Sequence, residues 1–250
     1  MILVEVDDRV ATVVLDDPAR RNVVSTALNG ALVAAFDELE GRDDVGAVVL
    51  TGAGSAFCAG ADLDDLAACR DEATLRAIYS GFLRVAGSSL PTLAAVNGPA
   101  VGAGLNMALA CDVIIAGEAA RFDSRFLQLG AHPGGGSTWR MRRITDLQTT
   151  MAMVVFGEVV DGRRAAEVGL AWRCVPDHEL LAVAREVAGR AAAAPAELVR
   201  RTKATVVTTD GIASSADAVD LEVGPQLWSF GQPEFAALLE RVRSRLGTQR

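Results

Sequence analysis

Short apolar runs alternate along the chain with stretches of helical periodicity. In the runs nearly every residue is apolar, as in strands that are buried on both faces of a parallel sheet. In the stretch from 26 to 39, by contrast, Leu28, Leu32 and Phe36 recur near one helical face. The predicted strands are Ile2–Val6, Val10–Leu15, Gly46–Thr51, Thr92–Val96, Asp112–Ala116 and Ala171–Val175.

Strand, loop and helix repeat in this order, and the chain after Gly136 is mainly helical. This order is typical of an α/β fold in which helices cover a parallel, mostly buried sheet. We expect the first two strands to pair across Asp7–Arg9. The predicted helices are 26–39, 72–86, 102–111, 147–156, 161–169, 177–194, 196–207, 213–229 and 233–247.

An alanine-rich patch, Ala191–Ala194, is followed by Pro195 and marks the best candidate boundary. We therefore predict a core of residues 1–194 and a helical part of residues 195–250. We expect the apolar faces of the second part to cover the core or a neighbouring subunit. They include Leu221, Leu227, Phe230, Phe235, Leu238 and Leu239.

The composition narrows the class of protein. A net charge of −8 argues against non-specific nucleic-acid binding, which needs a basic surface. The four cysteines are scattered and include no C-x-x-C pair, so we expect neither a zinc site nor a disulfide scaffold. This cysteine usage is most consistent with a reducing cytoplasm. The chain enters a strand-like run at once, so we expect no signal peptide.

A membrane span is not expected either. The stretch Val85–Cys111 carries no charge and is longer than the ~20 residues that a spanning helix needs. It nevertheless contains Pro91, Asn97 and Pro99, which fit a strand, a loop and a buried helix better.

Two loops rich in small residues, 56–63 and 97–106, each follow a predicted strand and lead toward a helix. Small residues leave backbone N–H groups uncovered, and two such donors can bind one carbonyl oxygen as it becomes an oxyanion. Other glycine motifs fit less well. Gly52-Ala53-Gly54 lacks the third glycine of a dinucleotide-binding turn, and Ser137 lacks the frame of a serine hydrolase.

Several motifs in this order resemble the crotonase superfamily, the enoyl-CoA hydratase/isomerase family, over residues 1–247. The resemblance implies a spiral of repeated ββα units, a C-terminal helical trimerisation region, and a homotrimer or a dimer of trimers. It also implies an acyl-CoA thioester as substrate, with coenzyme A as part of that substrate and no other cofactor. The carrying segments are Pro18–Val24, Ala56–Leu63, Asn97–Asn106, Cys111–Ala116, Phe122–Thr138 and Gly169–Ala171.

By this resemblance, the backbone N–H groups of Ala61 and Ala103 form the oxyanion hole for the thioester carbonyl. Ala103 stands where the family usually has glycine, a change that keeps the N–H. We expect Asp62 also to cap or orient its loop. Candidate residues for binding coenzyme A or the acyl group are Arg20, Arg21, Val23, Ala59, Gly60, Asp62, Leu63 and Phe126.

The chain departs from the hydratases at their two catalytic glutamates, whose positions hold Asn106 and Phe126. Neither side chain can transfer a proton, so hydration by the usual mechanism is doubtful. His132 and Asp123, in the segment after the second loop, are the candidate acid–base replacements, with Asn106 as a third candidate. Two hypotheses follow: an acyl-CoA enzyme with non-standard acid–base residues, or an acyl-CoA-binding protein with little catalysis.

Overall fold

The computed structural model describes residues 1–247, and within them the chain forms nine strands and eleven α-helices. The strands are β1 (Ile2–Asp7), β2 (Val10–Leu15), β3 (Ala47–Gly52), β4 (Thr92–Val96), β5 (Pro99–Val101), β6 (Val113–Gly117), β7 (Arg121–Asp123), β8 (Val160–Asp161) and β9 (Arg173–Val175). The helices are α1 (Thr26–Glu40), α2 (Leu63–Ala68), α3 (Glu72–Ala86), α4 (Ala103–Leu109), α5 (Ser137–Ile144), α6 (Leu147–Val154), α7 (Gly162–Glu167), α8 (Leu180–Ala192), α9 (Ala196–Thr209), α10 (Ser215–Phe230) and α11 (Pro233–Gly247).

The main sheet consists of the six strands that the sequence predicts. Its order is β1-β2-β3-β4-β6-β9, and every pair after the first is parallel. β1 and β2 form the expected hairpin, in which Asp8 and Arg9 have φ of 47° and 64°. Two such residues give the turn whose twist matches that of the flanking strands. The predicted α/β class is confirmed.

Both faces of this sheet are covered, which explains why its strands are apolar throughout. Val48 and Leu50 of β3 point into the larger core cluster, which includes residues of α1, α3 and α4. Val49 points into a second cluster, which includes the α8 residues Ala184 and Ala188. Alternate residues of one strand thus lie in different cores, as the two-residue period of a strand requires.

A second sheet, β5-β7-β8, is absent from the sequence prediction. Its strands have two or three residues, too few to show a period. α2 and α5 lie where the sequence indicates helix, after the first loop and after Gly136, but the sequence does not predict their bounds. The helix expected from Gly102 begins at Ala103 instead, because Gly102 has a φ of +52°, outside the helical region.

The described residues divide into two compact units, 1–192 and 193–247. The first ends with α8, whose last residue, Ala192, lies so close to Gly46 that a Cβ there would be 2.7 Å from the Ala192 Cα. In the second unit, made of α9, α10 and α11, the guanidinium of Arg201 stacks 4.2 Å from the Trp228 ring. Phe230 and Phe235 lie 4.9 Å apart, centroid to centroid.

Across residues 1–247 no helix is both long enough and apolar enough to cross a membrane. The uncharged stretch from Val85 to Cys111 contains β4, β5 and α4, as the breakers in it predict. All four cysteines are free thiols. In the described part of the chain, no three His, Cys, Asp or Glu side chains are grouped as metal ligands.

Candidate active site

The first small-residue loop runs between two other segments and bonds to both. Cys58 pairs in parallel with Ala100: the Cys58 N–H donates to the Pro99 carbonyl and the Val101 N–H donates to the Cys58 carbonyl, both at 3.0 Å. On the other side, the Val24 N–H donates to the Gly60 carbonyl at 2.8 Å, and the Asp62 N–H donates to the Val24 carbonyl at 2.9 Å.

This pairing leaves the Ala61 N–H unused. In a parallel bridge the bonds of Val24 run to the residues on either side of its partner, Ala61, whose own N–H points away. The Ala61 N–H has no acceptor among residues 1–247. It is therefore free to donate to a ligand.

The second loop leaves a matching N–H at Ala103. The Gly102 N–H donates to the Asp123 carbonyl at 2.9 Å, which fixes the turn before α4. Ala103 is the first residue of α4, where a backbone N–H has no partner within the helix. Within the described range its N–H also has no acceptor outside the helix.

The two loops touch backbone to backbone. A Cβ at Gly104 would lie 2.1 Å from the Cys58 carbonyl oxygen, and one at Gly60 would lie 3.2 Å from the Val101 oxygen. Ala61 and Ala103 each follow the paired residues Cys58 and Ala100 by three positions. The structure thus brings the two predicted loops together, each with an unused N–H.

Asn22, a buried residue of the segment that precedes α1, hydrogen-bonds to the backbone next to and within the first loop. Its amide nitrogen donates to the carbonyls of Ala53 and Ala56 at 2.9 and 2.8 Å, and its Oδ1 accepts from the Asp17 N–H at 2.9 Å. The neighbouring Arg21 carbonyl accepts from the Ala59 N–H at 3.0 Å. The segment is therefore fixed to the first loop.

Asp62 caps α2, as the sequence predicts. Its Oδ1 accepts from the N–H groups of Asp64 and Asp65 at 2.8 and 3.2 Å, while its Oδ2 pairs with Arg20. The hydrogen bond from Arg20 holds the pKa of the Asp62 carboxyl below its usual value, and the same bond raises the pKa of Arg20. Leu63 begins α2 and is exposed.

The two positions of the missing glutamates differ in their surroundings. Asn106 lies one turn after Ala103 on α4 and is buried. Its Nδ2 donates to the Gly134 carbonyl at 3.0 Å, whereas its Oδ1 is buried without a partner in the described residues. Phe126 is partly buried in a turn. Asn106 therefore offers an unsatisfied acceptor, and such groups are costly unless a ligand or water meets them.

The predicted acid–base candidates are not brought together. Asp123 is buried, and its carboxylate pairs with Arg125, whose Nε donates to it at 2.8 Å. His132 is exposed, and its Nδ1 lies 2.7 Å from the carbonyl oxygen of Pro133. The first loop contains the thiol of Cys58, which is fully buried, and this burial raises its pKa to about 12. It is not a thiolate nucleophile near neutral pH.

A cavity of about 400 Å³ adjoins Asn106. Gly135, in its wall, lies so near that a Cβ there would be 3.3 Å from Asn106 Nδ2. Tyr79 and Arg140 also line it and are not among the residues predicted from the sequence. Tyr79 is the single tyrosine of the chain, and this rarity could have marked it as a candidate. The lining residues are Glu72, Leu75, Arg76, Tyr79, Leu83, Gly135, Gly136 and Arg140.

Comparison with known proteins agrees with this fold. The family described as enoyl-CoA hydratase/isomerase matches residues 5–225. "Probable enoyl-CoA hydratase EchA14" of Mycobacterium tuberculosis is 47% identical over 98% of each chain. "4-chlorobenzoyl coenzyme A dehalogenase-2" of an Arthrobacter species is 32% identical over 98% of this chain and 91% of that protein. A crystal structure of enoyl-CoA hydratase from Bacillus anthracis has a TM-score of 0.92 at 27% identity, covering 98% and 96% of the two chains.

The class that the fold and these matches define is that of the crotonase superfamily. The chain belongs to its enoyl-CoA hydratase/isomerase family.

The contact between the loops yields a first prediction. In Gly104→Ala the new methyl group meets the Cys58 carbonyl, so we expect a loss of about 1–3 kcal/mol in the free energy of unfolding, measured by urea denaturation. Gly30→Ala is the control, because Gly30 lies in α1 with nothing within 4 Å of a Cβ. It should instead add about 0.5–1 kcal/mol. Equal effects of the two substitutions would contradict the tight contact.

The Asp62 cap yields a second prediction. The folded pKa of Asp62 is lowered, so its stabilising contribution is present above the unfolded pKa of ~3.9 and is lost as the pH falls through the folded value. Asp62→Asn should therefore lower the Tm at pH 7, and the difference from the parent should shrink at pH values below about 4. Asp43→Asn, which removes one carboxylate at an exposed position, is the control for the loss of charge alone.

Proposed function

We propose that the chain binds an acyl-CoA thioester and stabilises its enolate with the backbone N–H groups of Ala61 and Ala103. The observation that carries the proposal is the pair of unused donors, one on each of two loops in backbone contact. When a proton leaves the carbon next to a thioester, negative charge develops on the carbonyl oxygen. Preorganised donors aimed at such an oxygen contribute about 3–4 kcal/mol each to the transition state.

The names of two relatives support a thioester substrate. The Mycobacterium tuberculosis protein is named as a hydratase of an enoyl-CoA, and the Arthrobacter protein as a dehalogenase of an aryl-CoA. Their reactions differ, whereas the coenzyme A thioester is common to both names. We therefore propose that the substrate of this chain is also a coenzyme A thioester, with coenzyme A as part of the substrate and no additional cofactor.

We assign the coenzyme A portion to the segment 20–24 and to the loop residues 59–63. Most polar contacts there would come from the backbone, which the pairing of Val24 with Ala61 brings to one place. Arg21 is exposed and available to a phosphate. Arg20 bonds to Asp62 and therefore positions the loop.

A second function has specific support: binding of acyl-CoA with little catalysis. Asn106 and Phe126 cannot titrate, the Asp123 carboxylate is engaged by Arg125, and His132 is exposed. General acid–base groups contribute typically 10²–10⁴-fold to a rate, so their loss weakens turnover far more than affinity. The two functions share the thioester site and differ in turnover.

Ala103→Pro tests the proposed donor. Proline at the first position of a helix keeps the helix but removes the N–H. If the chain is an enzyme, kcat on its acyl-CoA substrate should fall by about 10²–10³-fold, with little change in the affinity for coenzyme A. Turnover of a panel of enoyl-CoA thioesters and calorimetric acyl-CoA affinity are the measurements.

Leu147→Pro is the matched control, because Leu147 is the exposed first residue of α6 and lies outside both loops. It should leave kcat unchanged. Equal loss of kcat in both variants, with fold intact, would contradict the oxyanion role of Ala103. Tight acyl-CoA binding without turnover, unchanged by His132→Ala, would favour the binding protein. A loss of more than about tenfold in His132→Ala, with affinity intact, would support its predicted proton-transfer role.

We also propose self-association through the C-terminal helices. α10 and α11 expose Leu227, Phe230 and Leu238, a larger apolar set than isolated surface residues provide. Light scattering after gel filtration should give the mass of a trimer or a dimer of trimers. A monomer at micromolar concentration would contradict this assignment.

A further inference from the structure

Arg140 of α5 is a half-buried cation without a carboxylate. Its Nη1 donates to the Gly135 carbonyl at 2.8 Å, and its guanidinium lies 5.8 Å from the centroid of the Phe82 ring. Within residues 1–247 no Asp or Glu lies within ion-pair distance of it. A guanidinium has five N–H donors, and only one of them has an acceptor in these residues.

The second arginine of the cavity shows the contrast. Arg76 bonds through Nε to Glu72 at 2.7 Å, and both side chains are more than two thirds exposed. Its charge is therefore balanced and hydrated. Burial lowers the pKa of Arg140, which reflects the cost of keeping that charge away from water. An anionic partner would offset this cost for a half-buried charge.

The remaining walls of the cavity suit an acyl chain. Leu75 and Leu83 supply apolar surface, and Tyr79 adds a hydroxyl group. Burial raises the pKa of Tyr79, so its O–H stays protonated and remains a donor. A Cβ at Gly134 would lie 2.3 Å from that hydroxyl oxygen, so Tyr79 packs directly on the glycine turn that also binds Arg140.

The same glycine turn connects the cavity to the thioester site. Asn106 donates to the Gly134 carbonyl, and Ala103 lies one turn earlier on the same helix. Three residues of an α-helix rise by about 4.5 Å, so the proposed oxyanion donor and the cavity are neighbours. An acyl chain attached to a thioester at Ala103 would pass along this glycine turn to reach Arg140.

We propose that Arg140, assisted by the Tyr79 hydroxyl, binds a carboxylate at the far end of the acyl group. The preferred ligands are then coenzyme A thioesters of short dicarboxylic acids. This rests on the proposed thioester site. Arginine and carboxylate match in shape, because two N–H groups of the guanidinium donate to the two oxygens in parallel.

Two unreactive thioesters of equal chain length test the proposal: glutaryl-CoA, which ends in a carboxylate, and valeryl-CoA, which ends in a methyl group. Calorimetry on the full chain should show glutaryl-CoA bound at least about tenfold more tightly. In Arg140→Met this ratio should fall to about one, while the affinity for valeryl-CoA changes less than about threefold. Arg142→Met, at an exposed position of α5 outside the cavity lining, is the matched control and should keep the ratio.

The outcomes distinguish a failure of the carboxylate site at Arg140 from a failure of the thioester site. If both thioesters bind the parent with equal affinity, Arg140 does not select a carboxylate, and the thioester site stands. If Arg140→Met weakens glutaryl-CoA, valeryl-CoA and free coenzyme A alike, the arginine meets a phosphate of coenzyme A and the proposal is overturned. If neither thioester binds, the thioester site itself fails, and this inference with it.

A second variant covers the case in which Arg140→Met does not fold. Tyr79→Phe keeps the ring packing and removes one donor, so we expect it to lower the glutaryl-to-valeryl ratio by about threefold to tenfold. An unchanged ratio would remove Tyr79 from the carboxylate site. The ratio in the parent protein needs no variant, and a ratio of about one there would overturn the proposal by itself.

Discussion

The parallel pairing of Cys58 with Ala100 is the contact on which the site depends. It brings two loops that are far apart in sequence to the spacing of neighbouring strands, about 4.8 Å. The adjoining Val24–Ala61 pairing leaves the Ala61 N–H unused, and the start of α4 leaves that of Ala103 unused. Glycine at position 104 is required for this approach, because a side chain there would meet the Cys58 carbonyl. The Asn22 amide and the Asp62 cap secure the first loop, and the bond from Gly102 to Asp123 secures the second.

The sequence predicts the main sheet well and the second sheet not at all, for a physical reason. Strands such as β3 have six residues and bury both faces, so they appear as unbroken apolar runs. β5 and β7 have three residues each, too few to show a period, although Ala100 and Phe122 in them are fully buried in the larger core. The loops were predictable because small residues at fixed spacing mark a close backbone approach.

The cavity could not be predicted in the same way. Periodicity identifies α3, but which of its faces meets α1 and which faces the cavity depends on packing. Arg140 is one of three arginines within four residues, together with Arg142 and Arg143. Only the folded chain shows which of them is half-buried beside Phe82. The expected acid–base residues illustrate the same limit, since the pairing of Asp123 with Arg125 and the exposure of His132 depend on local turns.

The division between backbone and side chains in this site has a consequence for how such proteins diverge. The proposed thioester end is built from peptide groups, so most substitutions there leave its donors in place. The proposed acyl end is built from side chains, among them Leu75, Tyr79 and Leu83 on α3 and Arg140 on α5. α3 is anchored by its opposite face, where Phe82 and Val85 are buried. Point substitutions on the open face can therefore change which acyl groups fit without altering the hydrogen bonds at the thioester, and new substrate preferences can arise from one or two codon changes.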